Sequence, residues 1–129
     1  MPVAYKPEGY TSVAPYLVVD GAVRTINFLV RVFGATELRR INTPDGRVRH
    51  AEVRLDDTVV MVADGQAGWP PIGAHVHVYV PDVDAAYERA LAAGATPVQA
   101  PAKKDDPDRR GGIKDAGGTT WWISTPVDE

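Results

Sequence analysis

The pentapeptides FGATE at residues 33–37 and AGATP at residues 93–97 decide the fold, because they repeat one local pattern sixty residues apart. In both places a segment with helical spacing of apolar residues leads to a glycine, and a short strand-like segment follows. Gly34 and Gly94 are suited to the left-handed conformation that ends many helices. A repeat on this scale predicts two related modules in one small chain.

The elements around each pentapeptide have the same order. Upstream of FGATE, SVAPYLVVD (12–20) predicts a buried strand and GAVRTINFLVRVFG (21–34) predicts a helix. The expected apolar stripe of that helix contains Val23, Ile26, Phe28, Val30 and Phe33. Downstream, ATELRRIN, RVRHAEVRL and TVVMVAD predict three strands, the first two joined by the turn TPDG (43–46). The first half of the chain therefore predicts a β-α-β-β-β unit.

The second half repeats this unit after a linker rich in glycine and proline. HVHVYV predicts a strand, and DVDAAYERALAAG predicts a helix capped by Asp82 or Asp84. ATPVQ predicts a short strand, followed by a loop over 99–112, the strand GIKD and the last strand TTWWIST. We expect loops 64–74 and 99–112 to lie beside any cleft, either closed over it or open.

The fold class is therefore α+β, with two paired βαβββ modules whose curved sheets enclose a cleft. Each sheet has one helix, so pairing the two sheets buries the faces that the helices leave bare. A chance resemblance between the halves of an ordinary α+β fold is the alternative. The predicted organisation is an N-terminal extension (1–9), a first module (10–64), a linker (65–73), a second module (74–126) and a tail (127–129).

Composition excludes several classes of function. The chain has 129 residues, a net charge of −3 and no cysteine, so disulfides and thiolate chemistry are excluded. No basic cluster indicates nucleic-acid binding, and no apolar run is long enough to span a membrane. The first residues, MPVAYKPEGY, lack the pattern of a signal peptide, so we expect a cytoplasmic protein.

The alternation of side chains along a strand assigns residues to the two faces of each sheet. In RHAEVRL, Ala51, Val53 and Leu55 suit the helix-covered face, which leaves every second residue for the cleft. In TTWWIST either Trp121 or Trp122 faces the cleft, and matching polar neighbours favours Trp122. The predicted ligand-binding residues are Tyr16, His50, Glu52, Arg54, Met61, His75, His77, Tyr79 and Trp122. Apolar walls with a few polar groups are typical of small-molecule pockets.

These segments resemble the glyoxalase/bleomycin-resistance/dioxygenase superfamily, also called the vicinal oxygen chelate fold. The resemblance rests on PYLVVDGAVRTINFLVRVFGATEL, PDGRVRHAEVRLDDTVVMVAD, HVYVPDVDAAYERALAAGATPV and DRRGGIKDAGGTTWWIST, and covers about residues 10–126. It is strongest to the PhnB-like branch, although the turn DAGGT stands where that branch usually has DPFGH. The resemblance implies paired βαβββ modules and a homodimer with clefts near the subunit interface.

Enzymes of this superfamily hold a divalent metal with His or Glu on the first and last strands of each module. Those positions correspond to Ala14, Met61, His75 and Trp122, so His75 alone matches a family ligand. One imidazole is too few for the usual first-row metals, and we expect no metal cofactor. A rearranged divalent-metal site of His50, Glu52, His75 and His77 is the alternative.

Three functions are compatible with this pattern. The first is a protein that binds a planar or aromatic small molecule, as bleomycin-resistance proteins sequester their antibiotic, with Trp122 as the stacking residue. The second is a lyase, isomerase or dioxygenase that uses the rearranged metal site, or His75 or His77 as a general base. The third is a structural module whose cleft is filled by Tyr16, Met61 and Trp122. The sequence does not identify the ligand.

Overall fold

Two four-stranded sheets and two helices make up the protein. The computed structural model describes residues 4–127. The first half contains β1 (Tyr16–Val19), α1 (Ala22–Phe33), β2 (Thr36–Asn42), β3 (Val48–Leu55) and β4 (Thr58–Asp64). The second half contains β5 (Ala74–Tyr79), α2 (Val83–Ala92), β6 (Thr96–Lys103), β7 (Asp108–Lys114) and β8 (Thr119–Pro126). The predicted α+β class and the repeated βαβββ order are therefore confirmed.

Both sheets have the same topology. The strand orders are β1-β4-β3-β2 and β5-β8-β7-β6, so the first and last strands of each half lie side by side. These two strands pair in parallel, and all other pairs are antiparallel. Each helix connects the first strand of its sheet to the strand at the opposite edge, and covers one face of the sheet on the way.

Helix α1 begins and ends at glycines and buries one side. Gly34 at its end has a φ of 67°, as the sequence predicted. The buried side chains follow an arc through Ala22, Thr25, Ile26, Phe28, Leu29 and Val32. The predicted stripe was wrong at two positions, because Val23 and Val30 lie just beyond this arc and are 39% and 43% exposed.

Helix α2 is capped by its own side chain. The carboxylate of Asp82 accepts a hydrogen bond from the backbone N–H of Ala85, which selects Asp82 over Asp84 as the N-cap. Val83, Ala86, Tyr87 and Ala90 are buried against the second sheet. In the part of the chain that the structure describes, no helix is long and apolar enough to cross a membrane.

The helix-covered faces of both sheets belong to one hydrophobic core. This core includes Leu29 and Val62 from the first half and Ile113 and Trp121 from the second. The helices also contact each other, and the ring of Phe33 at the end of α1 lies 5.4 Å from the ring of Trp121. The two halves are therefore joined through their helix-covered sides.

The other two faces do not meet within one chain. No hydrogen bond, ion pair or ring contact among residues 4–127 joins the face that carries His50 to the face that carries His77. A pocket between the halves is lined by the β3–β4 turn on one side and by His77 and Tyr79 on the other. The pairing of two modules is therefore confirmed, whereas a cleft enclosed by the two sheet faces stays a prediction. Both helices bury their apolar sides in the shared core, so the halves are joined through that core and not through the faces that carry His50 and His77.

Three strand predictions were wrong in length, and one of them is β7, which begins at Asp108 instead of Gly112. Strand β1 begins at Tyr16 rather than at residue 12. Strand β6 runs on to Lys103 and pairs with β7 through Ala102↔Arg110 and Lys103↔Arg109. The predicted loop over 99–112 is thereby reduced to 104–107. Pro97 and Pro101 lie within β6, which is an edge strand, where a missing N–H is tolerated.

The segment between β4 and β5 follows the outer edge of β1. The backbone N–H of Ile72 donates to the carbonyl of Val18, on the side of β1 that β4 does not use. Gln66 and Trp69 form a small bridge within the segment, and Trp69 packs on Tyr16 with ring centroids 5.7 Å apart. This segment therefore packs along the β1 edge of the first sheet.

The carboxylate of Asp64, at the end of β4, connects three elements of the first half. One oxygen accepts hydrogen bonds from the backbone N–H groups of Gly21 and Ala22, each at 2.9 Å, and the other accepts from Val48 at 2.8 Å. The N-cap residue Gly21 has a φ of 86° and no side chain of its own with which to cap the helix. The carboxylate of Asp64, distant in sequence, caps α1 instead. Burial raises the pKa of Asp64, but these backbone donors and Arg47 outweigh it and leave the pKa below the ordinary value.

We predict that Asp64→Asn lowers the free energy of unfolding by about 1–3 kcal/mol, because one charged acceptor of three backbone donors is lost. The carboxylate's pKa is lower in the folded state. Its stabilisation is therefore present above pH 3.8 and is lost as the pH falls through the folded-state pKa. Urea unfolding at several pH values measures both effects, with the exposed Asp20→Asn as control. Equal stability of the two variants at neutral pH would contradict the anchoring role.

Candidate ligand-binding faces

A chain of hydrogen bonds lies on the uncovered face of the first sheet. His50 Nε2 is 2.8 Å from an oxygen of Glu52, and His50 Nδ1 is 3.2 Å from the hydroxyl of Tyr16. The side chain of Glu52 is buried and that of His50 is 20% exposed. An ionised Glu52 only accepts, so Nε2–H of His50 donates to it. Period-two reasoning placed these three residues on one face, and they contact each other there.

Two residues that the sequence did not single out complete this network. The hydroxyl of Tyr10 donates to Glu52 at 2.6 Å, and the guanidinium of Arg39 lies 3.4 Å from the same carboxylate. Burial raises the pKa of Glu52, but the hydrogen bonds from Tyr10 and His50 and the charge of Arg39 bring it below the ordinary value. Tyr10 lies in an irregular segment without periodicity, so no sequence signal pointed to it.

The segment before β1 covers part of this first face. Arg54 donates to the carbonyl of Gly9 at 3.1 Å, and the backbone N–H of Val59 donates to the hydroxyl of Thr11. Met61 is half-buried and lies opposite Tyr16 on one side and Glu52 on the other in the strand register. The predicted residues Tyr16, His50, Glu52, Arg54 and Met61 are therefore brought together, but partly beneath the chain's own N-terminal segment.

The uncovered face of the second sheet carries the other predicted residues and is open. His75 and His77 are exposed, Tyr79 is 59% exposed and Trp122 is half-buried. Trp122 Nε1 donates to His75 Nδ1 at 3.1 Å. The ring of His77 packs edge-on against Tyr79 with centroids 4.8 Å apart. Four predicted residues thus form one aromatic and polar surface.

A charged cluster from β7 borders this second face. Arg110 contacts Asp106 at 2.7 Å and Asp108 at 3.2 Å, and its Nε lies 3.5 Å from Nε2 of His77. The hydroxyl of Tyr79 also donates to Asp108, at 2.9 Å. The sequence predicted a loop over 99–112. Asp108 and Arg110 lie on β7 instead, because this strand begins earlier than predicted, whereas Asp106 does lie in a loop.

His77 is held neutral by its surroundings. Its Nε2 lies 2.9 Å from the hydroxyl of Ser124. Burial lowers the pKa of His77, and the charge of Arg110 lowers it further, whereas Asp108 and Asp106 act in the opposite direction. The net shift is downward, so at neutral pH His77 is an uncharged hydrogen-bonding group of this face.

The donor set does not fit the metal site that enzymes of the resembled family use. Of the four corresponding positions, Ala14 has no ligating group, Met61 offers a soft thioether, and Trp122 donates its N–H to His75. The alternative set of His50, Glu52, His75 and His77 is divided between two faces. Within residues 4–127, no three His, Asp or Glu side chains are close enough to hold a metal ion.

We predict that Tyr10→Phe costs about 1 kcal/mol of unfolding free energy, because Glu52 loses a hydroxyl donor. The pKa of Glu52 should rise at the same time, since the lost hydrogen bond favours the ionised form. NMR titration of the Glu52 carboxyl measures the second effect, with the exposed Tyr5→Phe as control. An unchanged Glu52 titration in the Tyr10 variant would show that this contact does not form in solution.

Comparison with known proteins shows the family to which this chain and its fold belong. Residues 10–123 match the model of the Glyoxalase/Bleomycin resistance protein/Dioxygenase superfamily. The uncharacterized protein Mb0911c of Mycobacterium bovis is 37% identical, over 92% of this chain and 85% of its own length. The uncharacterized protein Rv0887c of Mycobacterium tuberculosis is also 37% identical, over 92% and 76%.

Two solved structures have the same fold. TioX from Micromonospora sp. ML1 is 28% identical with a TM-score of 0.75, and the match covers 91% of this chain and 99% of TioX. TnmS3, an antibiotic binding protein from Streptomyces sp. CB03234, is 20% identical with a TM-score of 0.70, over 92% and 100%. None of these matches distinguishes the PhnB-like branch, which stays a prediction. The chain belongs to the glyoxalase/bleomycin resistance protein/dioxygenase superfamily.

Proposed function

We propose that the protein binds a planar aromatic small molecule in a cleft and thereby sequesters it, without the metal site of the superfamily's enzymes. The uncovered face of the second sheet carries this proposal. It presents the half-buried ring of Trp122 beside the exposed side chains of His75, His77 and Tyr79. Stacking of a flat apolar molecule on an aromatic surface of this kind is favourable and stabilises the complex.

The polar groups of this face support binding more than catalysis. The hydroxyl of Tyr79 is engaged by Asp108, and one ring nitrogen of each histidine has a partner in the chain. Such fixed polar groups around an apolar ring orient a ligand and give it specificity. The metal-dependent alternative would need His50 and Glu52 to converge with His75 and His77. Within residues 4–127 of one chain no such group of ligands is close enough to hold a metal ion, so this site would have to form across the cleft of the dimer proposed below.

The structural relatives show what this fold can do. TnmS3 is described as an antibiotic binding protein. Its likeness to this chain is one of fold, so it supports the class of function and not the identity of the ligand. A resistance-type sequestration of an antibiotic or aromatic metabolite is the corresponding proposal for this protein.

We also propose that the binding unit is a homodimer. The apolar sides of both helices are already buried in the shared core, so we assign association to the two sheet faces without a helix. Association of two copies that sets the first-sheet face of one against the second-sheet face of the other would enclose two clefts. Each cleft would then contain Tyr16, His50 and Met61 from one copy and Trp122 and Tyr79 from the other.

We predict that Trp122→Ala weakens the binding of any ligand found in a calorimetric screen of planar antibiotics and aromatic metabolites by tenfold or more. The reason is the loss of both stacking and buried apolar area, each worth about 1 kcal/mol. Tyr5→Ala, which removes an exposed aromatic ring, is the matched control and should bind like the wild type. A ligand that binds both variants equally would not be bound on this face.

For the assembly, sedimentation equilibrium at micromolar concentration should give twice the chain mass of 13.9 kDa. Replacing Tyr79 by Glu should shift the protein toward the monomer, because a charge would be placed on a face that association covers. A wild-type protein that sediments at the single-chain mass would disprove the proposed dimer.

A further inference from the structure

We infer that Trp122 and His75 form one flat platform, and that the platform selects fused polycyclic aromatic molecules over smaller rings. This inference rests on the proposed binding function and identifies the class of ligand that it takes. The two rings are within 10° of parallel, and their centroids are 6.3 Å apart. Parallel rings can lie one over the other or side by side, and only the side-by-side arrangement gives a wider flat surface.

The hydrogen bond between the two rings shows that they lie side by side. The N–H of an indole lies in the plane of its ring, and Trp122 Nε1 donates to His75 Nδ1 at 3.1 Å. The acceptor nitrogen must therefore lie near the indole plane, which places the imidazole beside the indole. Two parallel rings joined edge to edge present one continuous flat surface.

Strand register shows that this surface lies flat on the sheet. Trp122 on β8 is paired with His77 on β5 and with Gly112 on β7. The indole N–H nevertheless reaches His75, two residues along β5, while the six-membered ring lies over Gly112. The indole thus extends from β5 across β8 to β7, with its edge on His75 and its far ring on β7.

Gly112 is the residue that makes this orientation possible. A Cβ atom at this position would lie 2.7 Å from Cζ3 and 2.9 Å from Cε3 of Trp122, which is closer than such atoms approach. The backbone of Gly112 is not in the left-handed region, so its requirement for glycine comes from the indole above it. Gly112 is therefore a positioning residue for the platform.

The size of the platform determines what it fits. A single six-membered ring covers only the indole or only the imidazole, whereas a linear system of three fused rings covers both. Each additional ring in contact with the platform removes more apolar surface from water and strengthens binding. Affinity should therefore continue to rise up to the ring count that spans Trp122 and His75.

The test uses benzoate, 2-naphthoate and anthracene-2-carboxylate as probes, which carry the same charge and differ by one fused ring at each step. Isothermal titration calorimetry with the full-length wild-type protein should show a gain of about fivefold or more from the two-ring to the three-ring probe. His75→Asn keeps an acceptor for the indole N–H but removes the second ring. It should bind 2-naphthoate within twofold of the wild type and lose the further gain.

Gly112→Ala is the second test variant. It should tilt the indole off the sheet and weaken the binding of both larger probes by tenfold or more. Gly111→Ala is its matched control. A Cβ there would meet Pro101, Gln99 and Tyr87 at 3.2–3.3 Å, away from Trp122. This variant therefore measures the effect of adding a side chain to β7 without contact to the indole. This control should bind like the wild type, and thermal unfolding confirms that each variant is folded.

The possible results separate the platform from the proposed function. If His75→Asn keeps the full three-ring gain, or Gly112→Ala binds as Gly111→Ala does, the platform is wrong while aromatic binding stands. If none of the three probes binds to the wild-type protein, both the platform and the proposed function are overturned. Loss of the three-ring gain in His75→Asn alone supports the inference even where Gly112→Ala does not fold.

Discussion

Each sheet of this protein has only one helix, so one face of each sheet has no helix packed on it. This constraint determines the rest of the structure. Both helices place their apolar sides in a single core that extends from Leu29 to Trp121. No helix remains for the opposite faces, so the side chains there have to satisfy one another by hydrogen bonding or face outward. The polar and aromatic character of those faces follows from this constraint, and so does their availability for a ligand or a second copy.

The two faces have nevertheless become different, although the halves share one topology. On the first face Glu52 is buried and surrounded by donors, and residues 9–11 lie over part of the surface. On the second face the indole of Trp122 lies flat and uncovered. The supporting carboxylates differ too. Asp64 joins β3, β4 and α1. Asp115 instead accepts from Gly117 in the turn before β8, from Thr119 at the start of β8 and from the indole N–H of Trp121.

Much of the fold could be predicted because its signals are local. Gly34 marks the end of α1, alternation in β3 separates His50 from Ala51, and the pentapeptide repeat reveals the duplication. The direction in which the halves pack could not be predicted, because helix-to-helix and face-to-face pairing both bury apolar surface. For the site, Trp122 and His75 were identified from period two, but their shared plane was not. That plane depends on a glycine in a neighbouring strand, and residue spacing along one strand carries no information about it.

The contact of Ile72 with Val18 has a consequence for how chains encounter one another. The outer edge of β1 carries carbonyl groups that point away from its own sheet, and such an edge invites a strand from another molecule to extend the sheet indefinitely. By occupying one of these carbonyls, the connecting segment protects the chain from open-ended growth. Prolines in β6 give similar protection at the far edge of the second sheet. The proposed association of two copies would then use the broad surfaces, where it closes on itself and stops.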